Sequence, residues 1–73
     1  MAKLPALSGK RLIRLLQSAG FQVFRQKGSH VSLQKGDLHT VVPLHDDLAK
    51  GTLLGILRQC RMTKNDLRNR LRK

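Results

Sequence analysis

Apolar positions follow two different rhythms along this chain. Between Ser8 and Gly20, Leu12, Leu15, Leu16 and Ala19 recur at i, i+3, i+4 and i+7, the single buried stripe of an amphipathic helix. Ser8 suits the N-cap of that helix and Gly20 its stop. Lys10, Arg11 and Arg14 lie off the stripe. The rhythm then shortens. Phe21 to Gln26 reads as a strand, with Phe, Val and Phe among polar residues, and Lys27-Gly28-Ser29 has turn character. His30 to Gln34 alternates strictly, which sends Val31 and Leu33 to the core and His30 and Ser32 to the opposite face. Lys35-Gly36-Asp37 is a hairpin turn, and Leu38 to Val42 is a third strand ended by Pro43. Three strands joined by short turns make an antiparallel meander.

After a loop at Leu44-His45-Asp46-Asp47, helical spacing returns near Lys50, with Leu53, Ile56, Leu57 and Cys60 as its stripe. Gly51 and Gly55 weaken that helix by roughly 1 kcal/mol each relative to Ala, so each points to a packing or close-approach reason. Adjacent Asp46 and Asp47 fit an N-cap or turn better than a metal-dependent nuclease pair. Thr63 caps a short third helix: Asp66 falls at N3 for a capping box, and Met62 and Leu67 are spaced as a hydrophobic staple. The predicted order is α-β-β-β-α plus a short C-terminal helix. This is an α+β domain over 1–73, with its core at about 7–60 and a basic segment from 61.

Charge changes the picture. The chain of 73 residues carries 15 Lys and Arg against 4 Asp, a net +11, with a pI near 11.6. Such an excess is the footprint of a polyanion-binding protein. Phe21 and Phe24 are the whole complement of Phe, Tyr and Trp, so a multi-aromatic base-stacking platform of the RRM or OB type is not expected, and backbone or shape recognition is. Fourteen Leu exclude a disordered basic tail. With Cys60 alone there is no internal disulfide and no Cys-based zinc site, and a buried hydrophobe is the favoured reading of that thiol. No apolar run approaches a membrane span, and Met-Ala-Lys-Leu-Pro lacks the apolar stretch of a signal peptide, so a cytoplasmic location is expected.

The +11 is unevenly spread. Residues 1–20 hold Lys3, Lys10, Arg11 and Arg14 with no acid; residues 21–57 hold four bases and three acids; residues 58–73 hold seven bases and Asp66. Lys10 and Arg11 stand at the positive end of the first helix, where like charge is unfavourable and a bound anion would compensate. The competing reading is a solvated helix face.

Three histidines carry the candidate chemistry. RNA brings its own nucleophile, the 2′-hydroxyl, so a minimal ribonuclease needs a base, a cation for the phosphate and in-line geometry. Histidine suits the base because its unperturbed pKa is near neutrality. His30 lies off the core face, next to a Gly that permits close approach and near Arg25 and Lys27. The alternative is a surface histidine without a role. His45, beside Asp46 and Asp47, is a candidate second acid or RNA-orienting group, or else it hydrogen-bonds within its own turn. His39 reads as a sheet-surface residue whose facing the pattern leaves open. The three spacings lack a paired metal-ligand pattern, so no zinc site and no cofactor are expected. Lys50-Gly51-Thr52, at a helix start with free amides, suits a phosphate or is a solvated first turn.

Several segments, taken in order, carry a resemblance. Gly20-Phe21 closes the first helix, Gly28-Ser29-His30 opens the second strand, Val42-Pro43-Leu44-His45 ends the third, and Lys50-Gly51-Thr52-Leu53 with Ile56-Leu57 marks the second helix. Over about Leu7 to Cys60 the chain resembles the HicA toxins, the messenger-RNA interferases of HicA–HicB toxin–antitoxin pairs. The resemblance implies the fold of a double-stranded-RNA-binding domain, with a three-stranded sheet and its helices on one face. It implies His30 as the catalytic histidine, Lys50 on a phosphate and a HicB-type antitoxin as partner. Arg25, Lys27, Gly28 and Ser29 around His30, with Lys10 and Arg14 on the first helix, are the further candidates for contact with the RNA. Where the family often has Gly and an apolar residue after the second helix, this chain has Arg61-Met62.

The expected activity is therefore metal-independent cleavage of mRNA. The competing readings are a non-catalytic RNA- or DNA-binding module of the same fold, an adaptor whose charge serves protein contacts, and membrane-surface binding. The last is disfavoured because the strands break up any long basic amphipathic helix.

Overall fold

The computed structural model describes residues 6–72, so Lys3 and Lys73 lie outside the described residues. The elements are α1 (Gly9–Ser18), β1 (Gln22–Lys27), β2 (His30–Lys35), β3 (Leu38–Pro43), α2 (Lys50–Gln59) and α3 (Lys64–Leu71). The strands form one antiparallel sheet in the order β1-β2-β3. Both hairpin turns are two residues long and begin with Gly at positive φ, Gly28 and Gly36. That glycine-first pattern matches the twist of paired strands.

The alternation expected in β2 is present: Val31 and Leu33 are buried while His30 is exposed. From β3, Thr40 and Val42 join them on the inner face. Leu12, Leu15 and Leu16 of α1 and Leu53, Ile56 and Leu57 of α2, with Cys60 just beyond it, complete the core. The buried cluster extends past residue 60, because Leu67 is fully buried and Met62 and Leu71 pack against it. The third helix is therefore part of the fold, and the core does not end at 60.

Helix ends follow their sequence signals closely. Ser8 Oγ accepts from Arg11 N at 3.1 Å. At the far end Phe21 N donates to Leu16 O and Gly20 N to Gln17 O, with Gly20 at φ +101°. This is a Schellman motif, and its apolar contact brings buried Phe21 beside Leu16. Lys35 Nζ donates to Ala19 O at 2.7 Å and completes that terminus. The same motif ends α2, where Met62 N donates to Leu57 O and Arg61 N to Arg58 O. There the left-handed residue is Arg61, at φ +55°. The Thr63–Asp66 capping box is closed in both directions, at 2.8 and 3.0 Å, and these hydrogen bonds to Thr63 hold the Asp66 carboxyl below its usual range.

Three expectations need correction. The strand reading begins at Phe21, but Phe21 precedes β1 and is core, while all six residues of β1 are exposed. Phe21 is held by the end of α1, and the alternation within β1 is broken by a β-bulge: Val23 pairs with Leu33 and Arg25 with Ser32, leaving Phe24 as the extra residue. Of the two readings of Asp46 and Asp47, the turn holds and the cap does not: both are exposed at a bend, and the N-cap of α2 is Ala49, with no side-chain hydrogen bond. Gly51 and Gly55 have no packing reason, since a Cβ at either would meet nothing within 4 Å.

Candidate functional site

Side chains directly opposite each other in an antiparallel pair share a face. Lys27 is opposite His30 and Arg25 opposite Ser32, so these four lie on the outer face of the sheet, away from the helices. The bulge is what achieves this. In an unbroken β1, Phe24 and Arg25 would fall on opposite faces, and Arg25 and Lys27 would point inward with Val23. The extra residue shifts the phase, so both cations reach the face of His30.

His30 stands at one end of the sheet, directly opposite both Lys27 and Pro43. Ser29 O accepts from Leu44 N at 2.7 Å, which clamps the β1–β2 turn to the end of β3. Gly28 takes its left-handed φ of +58° without the strain another residue would carry there, and the space above it is open. Gly9 N donates to His45 O at 2.9 Å, bringing the start of α1 to the same end. A Cβ on Gly9 would collide with the Pro43 carbonyl, so only Gly permits this docking. Thr40 Oγ1 donates to Gln59 Oε1 at 2.7 Å. The C-terminal turn of α2 is thus tied to the middle of β3, and α2 runs antiparallel to that strand. Its start, with Lys50, returns to the end where Pro43 and His30 lie. Two helix N-termini therefore converge on the His30 end. Neither has an acid in its first turn, and that of α2 is uncapped by any side chain. Such ends favour anions.

Of the sequence-derived site residues, the fold brings Lys27, Gly28, Ser29 and His30 to one corner. The start of α1 with Lys10 and that of α2 with Lys50 lie at the same end. Arg25 lies two residues along the outer face. His45 uses its backbone carbonyl to hold α1, and its side chain is exposed. Arg14 is elsewhere: with Ser8, Lys10, Arg11, Ser18 and Arg70 it lines an open groove of about 600 Å³ between α1 and α3. Arg70 Nη1 donates to Ser18 Oγ across it at 3.5 Å. No acid lines this groove. Among the described residues no three His, Cys, Asp or Glu side chains group as a metal site, and no helix is long and apolar enough to cross a membrane.

Sequence reasoning missed Gly9, Phe24 and Arg70. A Gly directly after an N-cap, where a better helix former is usual, is a readable sign of close approach. Phe24 following Val23 breaks the alternation and is the sign of the bulge. Nothing local marks Arg70, whose place depends on how α3 docks. His39, left open by the pattern, is exposed on the outer face, with its ring centroid 5.4 Å from that of Phe24.

The model of the HicA toxin family of bacterial toxin–antitoxin pairs matches residues 9–62. No curated protein and no solved structure matches the chain.

Proposed function

The chain belongs to the HicA toxin family, whose members are the toxins of toxin–antitoxin pairs, and on that premise we propose that it is a metal-independent endoribonuclease that cuts mRNA at His30. Its role as a toxin implies a cognate antitoxin; in this reading that partner is of the HicB type and restrains the toxin by covering the RNA-binding face.

One observation carries the proposal. His30 is exposed, directly opposite Lys27, at the end of the molecule where two helix N-termini converge. A phosphate drawn there meets the Lys27 cation and the uncapped start of α2, and the neighbouring ribose meets an imidazole. In the proposed reaction His30 takes the proton of the 2′-hydroxyl. The 2′-oxygen bonds to phosphorus as the bond to the 5′-oxygen breaks, and the departing oxygen is protonated by water or by His45. Lys27, Arg25 and Lys50 offset the charge of the phosphate. Gly28 and Ser29 leave the approach open, and Lys10 and Arg14 hold the RNA backbone further along. A single general base or acid of this kind contributes about 10²–10⁴-fold, which is enough for a slow toxin.

The second reading, a non-catalytic RNA- or DNA-binding module, is favoured by the separation of the basic groove from His30. Cleavage decides between them. The purified protein is expected to cut RNA in EDTA. His30→Ala is expected to keep RNA affinity and lose cutting. Undiminished cutting by His30→Ala would remove His30 from the mechanism, and no cutting by the wild type would favour the binding module.

A further inference from the structure

Phe24 is the most exposed large apolar side chain among the described residues, at 49%, whereas Phe21 is 3% exposed. As the extra residue of the β1 bulge, Phe24 lies across the outer face of the sheet. Its ring meets that of His39 on β3 at 5.4 Å between centroids, tilted by 48°. Val41, 38% exposed, is the next outward residue along β3. An exposed Phe alone needs no explanation. Here it belongs to a face with a consistent chemistry. Arg25, Lys27 and His30 share that face, Ser32 and Gln34 supply neutral hydrogen-bonding groups between them, and no strand of the sheet contains an acid. A flat aromatic surface, amide and hydroxyl partners and adjacent cations match the base, the base edge and the phosphate of a nucleotide. The missing acids and the two flanking cations favour a polyanion over an apolar protein surface.

We propose that Phe24 and His39 form a stacking site for a single unpaired base on the outer sheet face, so that the protein engages single-stranded RNA beside the cleavage point. The proposal rests on the ribonuclease reading above and names the substrate class of that site. His39 is four residues from Pro43, the partner of His30, roughly 13 Å along the strand at about 3.3 Å per residue. The stacked base thus belongs to a neighbouring nucleotide, and not to the one whose 2′-hydroxyl attacks. Phe24 and His39 bind and position, while proton transfer stays with His30. A duplex keeps its bases stacked on one another and cannot use the platform.

The test uses the full chain carrying His30→Ala, so that RNA stays intact, and a short single-stranded RNA containing a fluorescent adenine analogue that is quenched on stacking. Phe24→Leu keeps apolar bulk but removes the aromatic face. It is expected to weaken single-strand binding about tenfold, within the range for loss of one base–aromatic stack, and to abolish the quenching. Phe24→Trp is expected to restore both. Duplex RNA is expected to bind Phe24→Leu and its parent equally. In the chain with His30 intact, Phe24→Leu raises KM and leaves kcat unchanged. Unchanged single-strand affinity, or an equal loss for duplex, overturns the proposal. So does release of a co-expressed antitoxin by Phe24→Leu with RNA binding intact, which would make the patch a protein interface. No cutting by the chain with His30 intact would refute the ribonuclease reading, and persistent cutting by His30→Ala would remove only His30 from it; either leaves the stacking result to stand on its own.

Discussion

The groove between α1 and α3 and the His30 end of the sheet divide the molecule's properties between them. The groove has Lys10, Arg11, Arg14 and Arg70 with no acid, but no group suited to proton transfer. The His30 end is built mainly from the segment 21–57, where four bases nearly balance three acids, with the start of α1 brought in by Gly9, and it holds the histidine, its facing lysine and two helix starts. Long-range attraction needs only the right sign of charge within about a Debye length. Proton transfer needs a particular atom at hydrogen-bond distance. The tail therefore carries net charge without register, while the sheet uses a bulge, a tight hairpin and a glycine contact to fix register. In the proposed function the basic half delivers RNA, and the nearly neutral half cuts it.

The sharpest way to break this division is at His30. His30→Ala is expected to lower the cutting rate by about 10²–10⁴-fold with RNA affinity unchanged, read by cleavage of labelled RNA and by anisotropy. Next in size is the groove. Arg11→Ala with Arg14→Ala is expected to weaken RNA binding across sequences and to lower the salt slope by roughly one for each phosphate that is no longer neutralised. Cutting at saturating RNA should be unaffected. An unchanged salt slope would mean that the groove serves another partner.

Gly9 is the joint between the two regions, because its amide holds the His45 carbonyl and its Cα lies against Pro43. Gly9→Ala forces a Cβ into backbone atoms that cannot rotate away. It is expected to destabilise the fold by about 1–3 kcal/mol, the usual range for overpacking, measured by urea unfolding. Wild-type stability in this variant would show that the approach is not tight.

Arg61 shows what charge in the basic half displaces. It occupies at φ +55° the left-handed position that Gly20 fills at the end of α1. A non-glycine residue there is strained by roughly 1 kcal/mol or more. Arg61→Gly is expected to stabilise the chain by about 1 kcal/mol without touching the chemistry at His30. Reduced stability would mean that the arginine side chain holds something the glycine does not.

The smallest effect is a pH effect on Cys60. Burial pushes its thiol up to about 11 from an ordinary 9.0, partly opposed by a hydrogen bond with Thr40. The unfolded thiol therefore loses its proton first. Stability is expected to be flat below about pH 9 and to fall between about 9 and 11, and Cys60→Ser should flatten that limb. An unchanged limb would assign the fall to other groups.

Much of the fold is legible in the sequence, for reasons tied to locality. The stripes of α1 and α2, the Ser8 cap, the Thr63–Asp66 box, both glycine turns and the outward facing of His30 each depend on a few adjacent residues. The phase of β1 is not legible in the same way. Phe21, Val23 and Phe24 look like parts of one strand pattern, whereas Phe21 belongs to the end of α1 and Phe24 to a bulge. The role of Gly9 depends on Pro43 lying against it, 34 positions on. The groove depends on the docking of α3, which Leu67 directs and whose closing Arg70 no local pattern reveals.

The claim that chemistry and charge reside in separate regions is tested most directly by one crossed measurement. Single-turnover cleavage at saturating RNA in EDTA is compared for wild type, His30→Ala and the Arg11→Ala, Arg14→Ala variant, with the affinity of each. The account predicts that His30→Ala binds and does not cut, and that the arginine variant binds weakly and, once saturated, cuts at the wild-type rate. An arginine variant that fails to cut when saturated, or a His30→Ala that cuts normally, would contradict it.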